Sequence, residues 1–242
     1  MTFLKVKIFL IPLFTTIIFS QNTFLVETSV TASFKMGSMK SESKILYTEQ
    51  NYFSKVKFSF KGKGVARLMS RDMHNGTIIS FQDSSLKKID YKKKKFTSRT
   101  LQEIIAEKKE NLNAGQNDNS ETNDDEIEKF MISEVPEIIN GFEAYKLVIG
   151  DSNNTQIWFT NTSTEPIFVK IIKEQVNKFE NNWFSYSENF AKYGIDENAV
   201  IVKFFTKDDD GSFDFNLITH EEISFSPEAF KIPKNFKKVR KL

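Results

Sequence analysis

The chain has 242 residues, of which 34 are basic, 32 acidic and 25 phenylalanine, and it contains no cysteine. Nothing in a balance this near neutrality argues for the overall basic charge of a nucleic-acid binder. The lack of cysteine excludes disulfides, thiol catalysis and a thioether-linked lipid anchor.

Lys5 and Lys7 precede an apolar run from Ile8 to Phe19 that closes on Ser20-Gln21. About a dozen apolar residues are too few for a membrane span of roughly twenty, and polar, strand-like sequence follows at once. Residues 1–20 therefore read as a signal peptide cleaved between Ser20 and Gln21. The expected mature chain is 21–242, periplasmic or secreted, with no transmembrane segment. Without Lys5 and Lys7 the 34 basic residues become 32, equal to the acids.

From Phe24 to Met36 polar and apolar residues nearly alternate, as they do in a strand with one wet face. The alternation returns at Lys44 to Thr48 and at Ser54 to Lys61, where Val56, Phe58 and Phe60 share one parity and the lysines the other. Ala66 to Arg71, Thr77 to Gln82 and Leu86 to Tyr91 read as further strands. Turns are expected at His74-Asn75-Gly76 and Asp83-Ser84-Ser85. The period then changes: Leu101, Ile104, Ile105 and Leu112 recur at helical spacing behind a Thr100-x-x-Glu103 capping box, which predicts a helix over 101–111. The Asn- and Asp-rich stretch at 113–126 has little to bury and reads as a flexible acidic loop.

Strands resume at 129–135, 142–149 and 155–160, the first two parted by an Asn140-Gly141 turn. Pro166 then opens a second helical region reaching 192, with Phe168, Ile172, Val176 and Phe179 near a period of 3.6. Val200 to Thr206 and Ser212 to His220 form a hairpin around Asp208-Asp209-Asp210-Gly211, and Glu222 to Phe225 add a strand before a basic tail.

Few residues suggest chemistry. His74 and His220 have no H-x-x-x-H spacing, and no nucleophile elbow is present. The Asp208–Gly211 run lacks the alternating carboxylates of a calcium loop and reads as a turn. No catalytic motif, cofactor motif or metal ligand set emerges, so the chain is not expected to be an enzyme. The lysines at 92–95 and in the tail lack the interleaved aromatics of a nucleic-acid surface.

Phenylalanine is the excess, much of it on the inner parity of strands. Either those rings fill a core or they line a ligand cavity.

The order of elements resembles the half-barrel superfamily of the outer-membrane lipoprotein carriers LolA and LolB. The resemblance is carried by Lys44-Ile45-Leu46-Tyr47, by Leu86-Lys87-Lys88-Ile89-Asp90-Tyr91 with the lysines and Phe96 after it, by Gly141-Phe142-Glu143-Ala144-Tyr145-Lys146 leading to Ile157-Trp158-Phe159, and by Phe230-Lys231-Ile232-Pro233. It implies an α+β fold, one domain over 21–242, in which a curved antiparallel sheet forms an incomplete β-barrel with helices covering the concave face. It also implies a cavity for acyl chains, where burial is worth about 0.8 kcal/mol per methylene. The expected function is that of an exported envelope protein binding a lipid or the acyl chain of a lipoprotein. Phe58, Phe60, Phe81, Trp158, Phe168 and Ile172 are the candidate cavity lining. The alternative is a non-enzymatic structural or protein-interaction module with a filled core, partnered by another envelope protein.

Overall fold

The structure is a computed structural model that describes residues 22–104, 106, 129–150, 154–160, 166–177, 190–196, 198–224 and 226–242. The expected signal peptide at 1–20 and the expected acidic loop at 113–126 lie outside the described residues.

One sheet of thirteen strands organises the chain. In chain order these are β1 (Thr23–Phe34), β2 (Gly37–Tyr47), β3 (Asn51–Gly62), β4 (Arg71–Ser80), β5 (Ser85–Asp90), β6 (Lys95–Thr100), β7 (Phe130–Ile132), β8 (Glu137–Ile139), β9 (Phe142–Ile149), β10 (Thr155–Thr160), β11 (Val200–Lys207), β12 (Gly211–Ile223) and β13 (Lys237–Lys238). Their order across the sheet is β13-β6-β5-β4-β3-β2-β1-β12-β11-β10-β9-β7, with β8 also on β9. Neighbours are antiparallel except β13, which lies parallel to β6. One α-helix is described along its length, α1 (Pro166–Asn177), with two 3-10 turns, Gly64–Met69 and Pro227–Phe230; residues 101–104, 106 and 190–192 are helical too.

This overturns the α+β expectation. The molecule is mostly β, built on one large open sheet, and among the described residues helices do not cover a face of it. Scale gives the reason: the twelve residues of α1 span about 18 Å, whereas a sheet twelve strands across extends about 55 Å. Of the helix expected at 101–111, residues 101–104 and 106 are described and helical. Its capping box is formed: Thr100 N donates to Glu103 Oε2 (2.9 Å), and Glu103 N to Thr100 Oγ1 (3.2 Å).

Strand alternation sends side chains to two faces. One face carries the larger core, where Val26, Ile45, Leu147, Ile157, Phe204, Phe215 and Leu217 are buried. Helix α1 packs there because Phe168, Val169, Ile171, Ile172 and Val176 form its buried stripe, while Ile167 and Lys170 stay exposed. The other face carries Leu25, Leu46, Phe53, Ile78 and Ile89, covered by Phe230, Ile232 and Phe236 of the C-terminal segment. That segment ends as β13 along β6, with Val239 N donating to Phe96 O (2.8 Å), and so occupies a strand edge otherwise open to pairing.

Turn chemistry sets the register. Asn140 and Gly141 take positive φ (51° and 85°), as a two-residue hairpin between β8 and β9 requires. At the β11–β12 hairpin, Asp208 Oδ1 accepts from the backbone N–H of Asp210 and of Gly211, both at 2.8 Å, so this aspartate holds the turn closed. The turn expected at His74-Asn75-Gly76 is instead the interior of β4. Gly76 is there because a Cβ would meet the Tyr91 ring at 2.8 Å, not because the chain reverses. The strand expected at 66–71 is mostly the 3-10 turn Gly64–Met69.

Candidate functional site

On the helix-bearing face, Ile45 and Tyr47 of β2 belong to the core under α1. Two residues at a time, the same parity continues through Ser43 and Ser41, both buried, to Met39, which is half-buried. Cross-strand register sets Met39 opposite Phe60, Ser41 opposite Phe58 and Ser43 opposite Val56, and sets Phe58 opposite Met73 on β4. Met39, Val56, Phe58, Phe60 and Met73 are all half-buried. They form a partly exposed apolar strip over β2, β3 and β4. Arg71 lies opposite Phe60, with its guanidinium 6.0 Å from the Phe58 ring centre.

The strip runs into the 3-10 turn Gly64–Met69. Here Val65 is 92% exposed, Leu68 95% and Met69 70%, beside Met36 in the β1–β2 turn, whose carbonyl accepts from Lys63 N at 2.8 Å. The turn is folded back tightly: Gly62 N donates to Ser70 Oγ (2.9 Å), and a Cβ on Gly62 would fall 1.9 Å from Ala66 O. Only Ala66 points inward. Lys61, Lys63, Arg67 and Arg71, all exposed, surround the apolar tip. Apolar side chains this exposed, rimmed by cations, make the turn a candidate interaction surface.

The six cavity candidates separate. Phe58 and Phe60 lie on the partly exposed strip. Phe168 and Ile172 belong to α1 and are buried between it and the same face, at 3% and 0% exposure. Phe81 is in the β4–β5 turn, where its N–H donates to Gln50 O, at the far end of β3 and about 30 Å from Phe60. Trp158 is on the opposite face. It pairs in register with Lys146 and Lys203, whose amines lie 4.9 and 4.8 Å from its ring centre, and its Nε1 donates to Glu137 Oε2 at 3.3 Å. The structure therefore brings together two of the six at an accessible apolar surface. Met39, Val56 and Met73 of the strip, and Val65, Leu68 and Met69 of the tip, were missed. The signal available was a run of apolar residues and cations bracketed by Gly62, Gly64 and Ser70, without strand alternation.

The two histidines sit in aromatic surroundings. Nε2 of His220 is 3.0 Å from Tyr47 Oη, and its ring lies between Phe24 and Phe168. His74 stacks on Tyr91 with ring centres 4.7 Å apart, and burial together with Lys55 and Lys57 lowers its pKa. Among the described residues no group of three or more His, Asp or Glu is placed to hold a metal, and no helix is long and apolar enough to cross a membrane.

No protein-family model and no curated protein matches the chain. Solved structures to which it is similar include an uncharacterised conserved protein from Thermus thermophilus, at 9% identity and TM-score 0.36 with 92% of each chain covered. Another is a β-barrel-like protein of a domain of unknown function, DUF1849, from Brucella abortus, at 8% identity and TM-score 0.30, covering 84% of this chain and 98% of that one. A third, PNGF-II, is 11% identical with TM-score 0.27 over 90% of this chain and 31% of its own length.

Proposed function

We propose that this chain is an exported envelope protein that holds a lipid, or the acyl chain of a lipoprotein, against the partly exposed strip of Met39, Val56, Phe58, Phe60 and Met73. The observation that carries the reading is the continuity of that strip with the exposed tip of Val65, Leu68 and Met69. An acyl chain laid along the strip removes apolar surface on both partners from water, at about 25 cal/mol per Å². The cations around the tip suit an anionic lipid surface, each worth about 1 kcal/mol close to it. The ligand lies on a surface, not in a cavity beneath a helical lid. Titration with a fluorescent fatty acid tests this: saturable binding is expected, weakened in Phe58→Ala and Phe60→Ala, and absence of saturable binding contradicts it.

A second reading, a non-enzymatic protein-interaction module, is favoured by Met131, Val135 and Ile138, which are exposed where short β7 and β8 flank β9 at the sheet edge. Pull-down from envelope extract that is lost in Met131→Asp and Ile138→Asp, but kept in Phe58→Ala, favours this module over the lipid carrier.

A further inference from the structure

The face opposite α1 has a groove of about 650 Å³ over β1, β2 and β3, a size typical of small-molecule sites. Register arranges its lining in rungs. One rung is Glu27–Lys44–Lys55, the next Ser29–Glu42–Lys57, with His74 of β4 beyond Lys57. Both carboxylates are already engaged, Glu27 with Lys44 at 3.1 Å and Glu42 with Lys40 at 2.7 Å. Lys55 and Lys57 form no ion pair within 4 Å among the described residues, although Lys57 lies directly opposite Glu42, whose carboxyl pKa is lowered first by Lys40 and more weakly by Lys57. Lys55 faces Lys44 directly across the strand pair, and Lys57 follows it on the same face about 7 Å away.

Like charges directly opposite each other in a sheet are destabilising, and a folded chain that keeps them breaks a local rule at a place where something else gains. Lys55 has only the Tyr91 ring, 4.9 Å from its amine. The hydroxyls of Ser29 and Thr31 stand in the same groove. We propose that the groove binds a compact, multiply charged anion of the phosphate-ester class, with Lys55 and Lys57 as its counter-ions and the two hydroxyls as donors. A single carboxylate leaves one of the two lysines uncompensated. A doubly charged phosphate group answers both, and Lys serves phosphate as a point charge. The volume leaves room for the polar body of an ester. That body belongs to either a soluble phosphate ester or a lipid headgroup.

The test is thermal unfolding at low ionic strength with and without millimolar pyrophosphate. A rise of a few degrees is expected for the unaltered chain. Lys55→Gln and Lys57→Gln are expected to melt no lower than it in the absence of pyrophosphate and to show no rise in its presence, while Lys207→Gln, outside the groove, keeps the rise. No rise in the unaltered chain, or a rise that survives in Lys57→Gln, overturns the proposal. Vesicles containing phosphatidic acid, tested in a Leu68→Asp background so that the tip does not contribute, separate the two sources. Lys57-dependent capture assigns the headgroup, and a pyrophosphate response without capture assigns the soluble ester.

Discussion

The imidazole of His220 lies flat against the ring of Phe168, their centres 3.7 Å apart and their planes 8° from parallel. Because Nε2 of His220 also meets Tyr47 Oη at 3.0 Å, this stack ties α1 to β12 and β2 at once. Phe168→Ala removes the aromatic body that fills this site and is expected to lower unfolding free energy by about 3–5 kcal/mol in urea titration. Tyr47→Phe keeps the ring and removes one hydrogen bond, with an expected loss of about 1 kcal/mol. A Phe168→Ala loss no larger than that of Tyr47→Phe contradicts the assignment of Phe168 as the anchor.

Gly76 gives a sharper test of packing. A Cβ there comes 2.8 Å from Tyr91 Cε2 and 3.1 Å from Ser54 O, and the second contact is backbone. Gly76→Ala is expected to destabilise by about 1–3 kcal/mol by displacing the Tyr91 ring. Displacement also breaks the His74–Tyr91 stack, so the ring-shifted proton resonances of His74 are expected to move towards their unstacked positions. Unmoved resonances contradict the close-approach role of this glycine.

Acid is expected to weaken the fold through His74. Its pKa in the folded state lies below 6.5, chiefly because of burial and then because of Lys55 and Lys57. The unfolded chain therefore takes up a proton first as pH falls below 6.5, and stability declines from there until the folded-state pKa is passed. Well above that range this histidine adds no slope. His74→Gln is expected to flatten that part of a stability profile measured from neutral pH down to about pH 5, and an unchanged profile contradicts the assignment.

At the tip, Val65→Asp and Leu68→Asp alter side chains that are 92% and 95% exposed, so stability is expected to stay within about 0.5 kcal/mol of the unaltered chain. Flotation with anionic vesicles is expected to drop severalfold, and flotation with the unaltered chain is expected to weaken in salt because Lys61, Lys63, Arg67 and Arg71 contribute through screened charge. Undiminished flotation of both variants contradicts a role for the turn.

Much of the strand framework is legible in the sequence where turn chemistry is unambiguous. Asn140-Gly141 and Asp208 to Gly211 turn as expected, and β9 and β10 begin and end at the expected residues. His74-Asn75-Gly76 misleads because glycine serves close approach as well as reversal, and only the tertiary position of Tyr91 tells the two apart. Trp158 falls on the face away from Phe168 because Ile157, its neighbour, takes the core position opposite Phe204; alternation then returns Phe159 to that face, and the extra residue Val202 on β11 sets Ile201 opposite it. β13 was hidden for a different reason: two lysines have no strand pattern, and their pairing is supplied by Phe230, Ile232 and Phe236 anchoring the segment nearby. Phe58 and Phe60 were found by their alternation, whereas the tip was not, since exposure of Val65 and Leu68 is a property of the turn and not of the residue types.

Native mass spectrometry of the protein, gently purified from its own cells, tests the central claim most directly. A lipid-sized increment above the chain mass is expected, lost when Phe58 and Phe60 are both replaced by Asp without loss of cooperative unfolding. A bare chain mass for the unaltered protein, with no saturable response to a fluorescent fatty acid, contradicts the account.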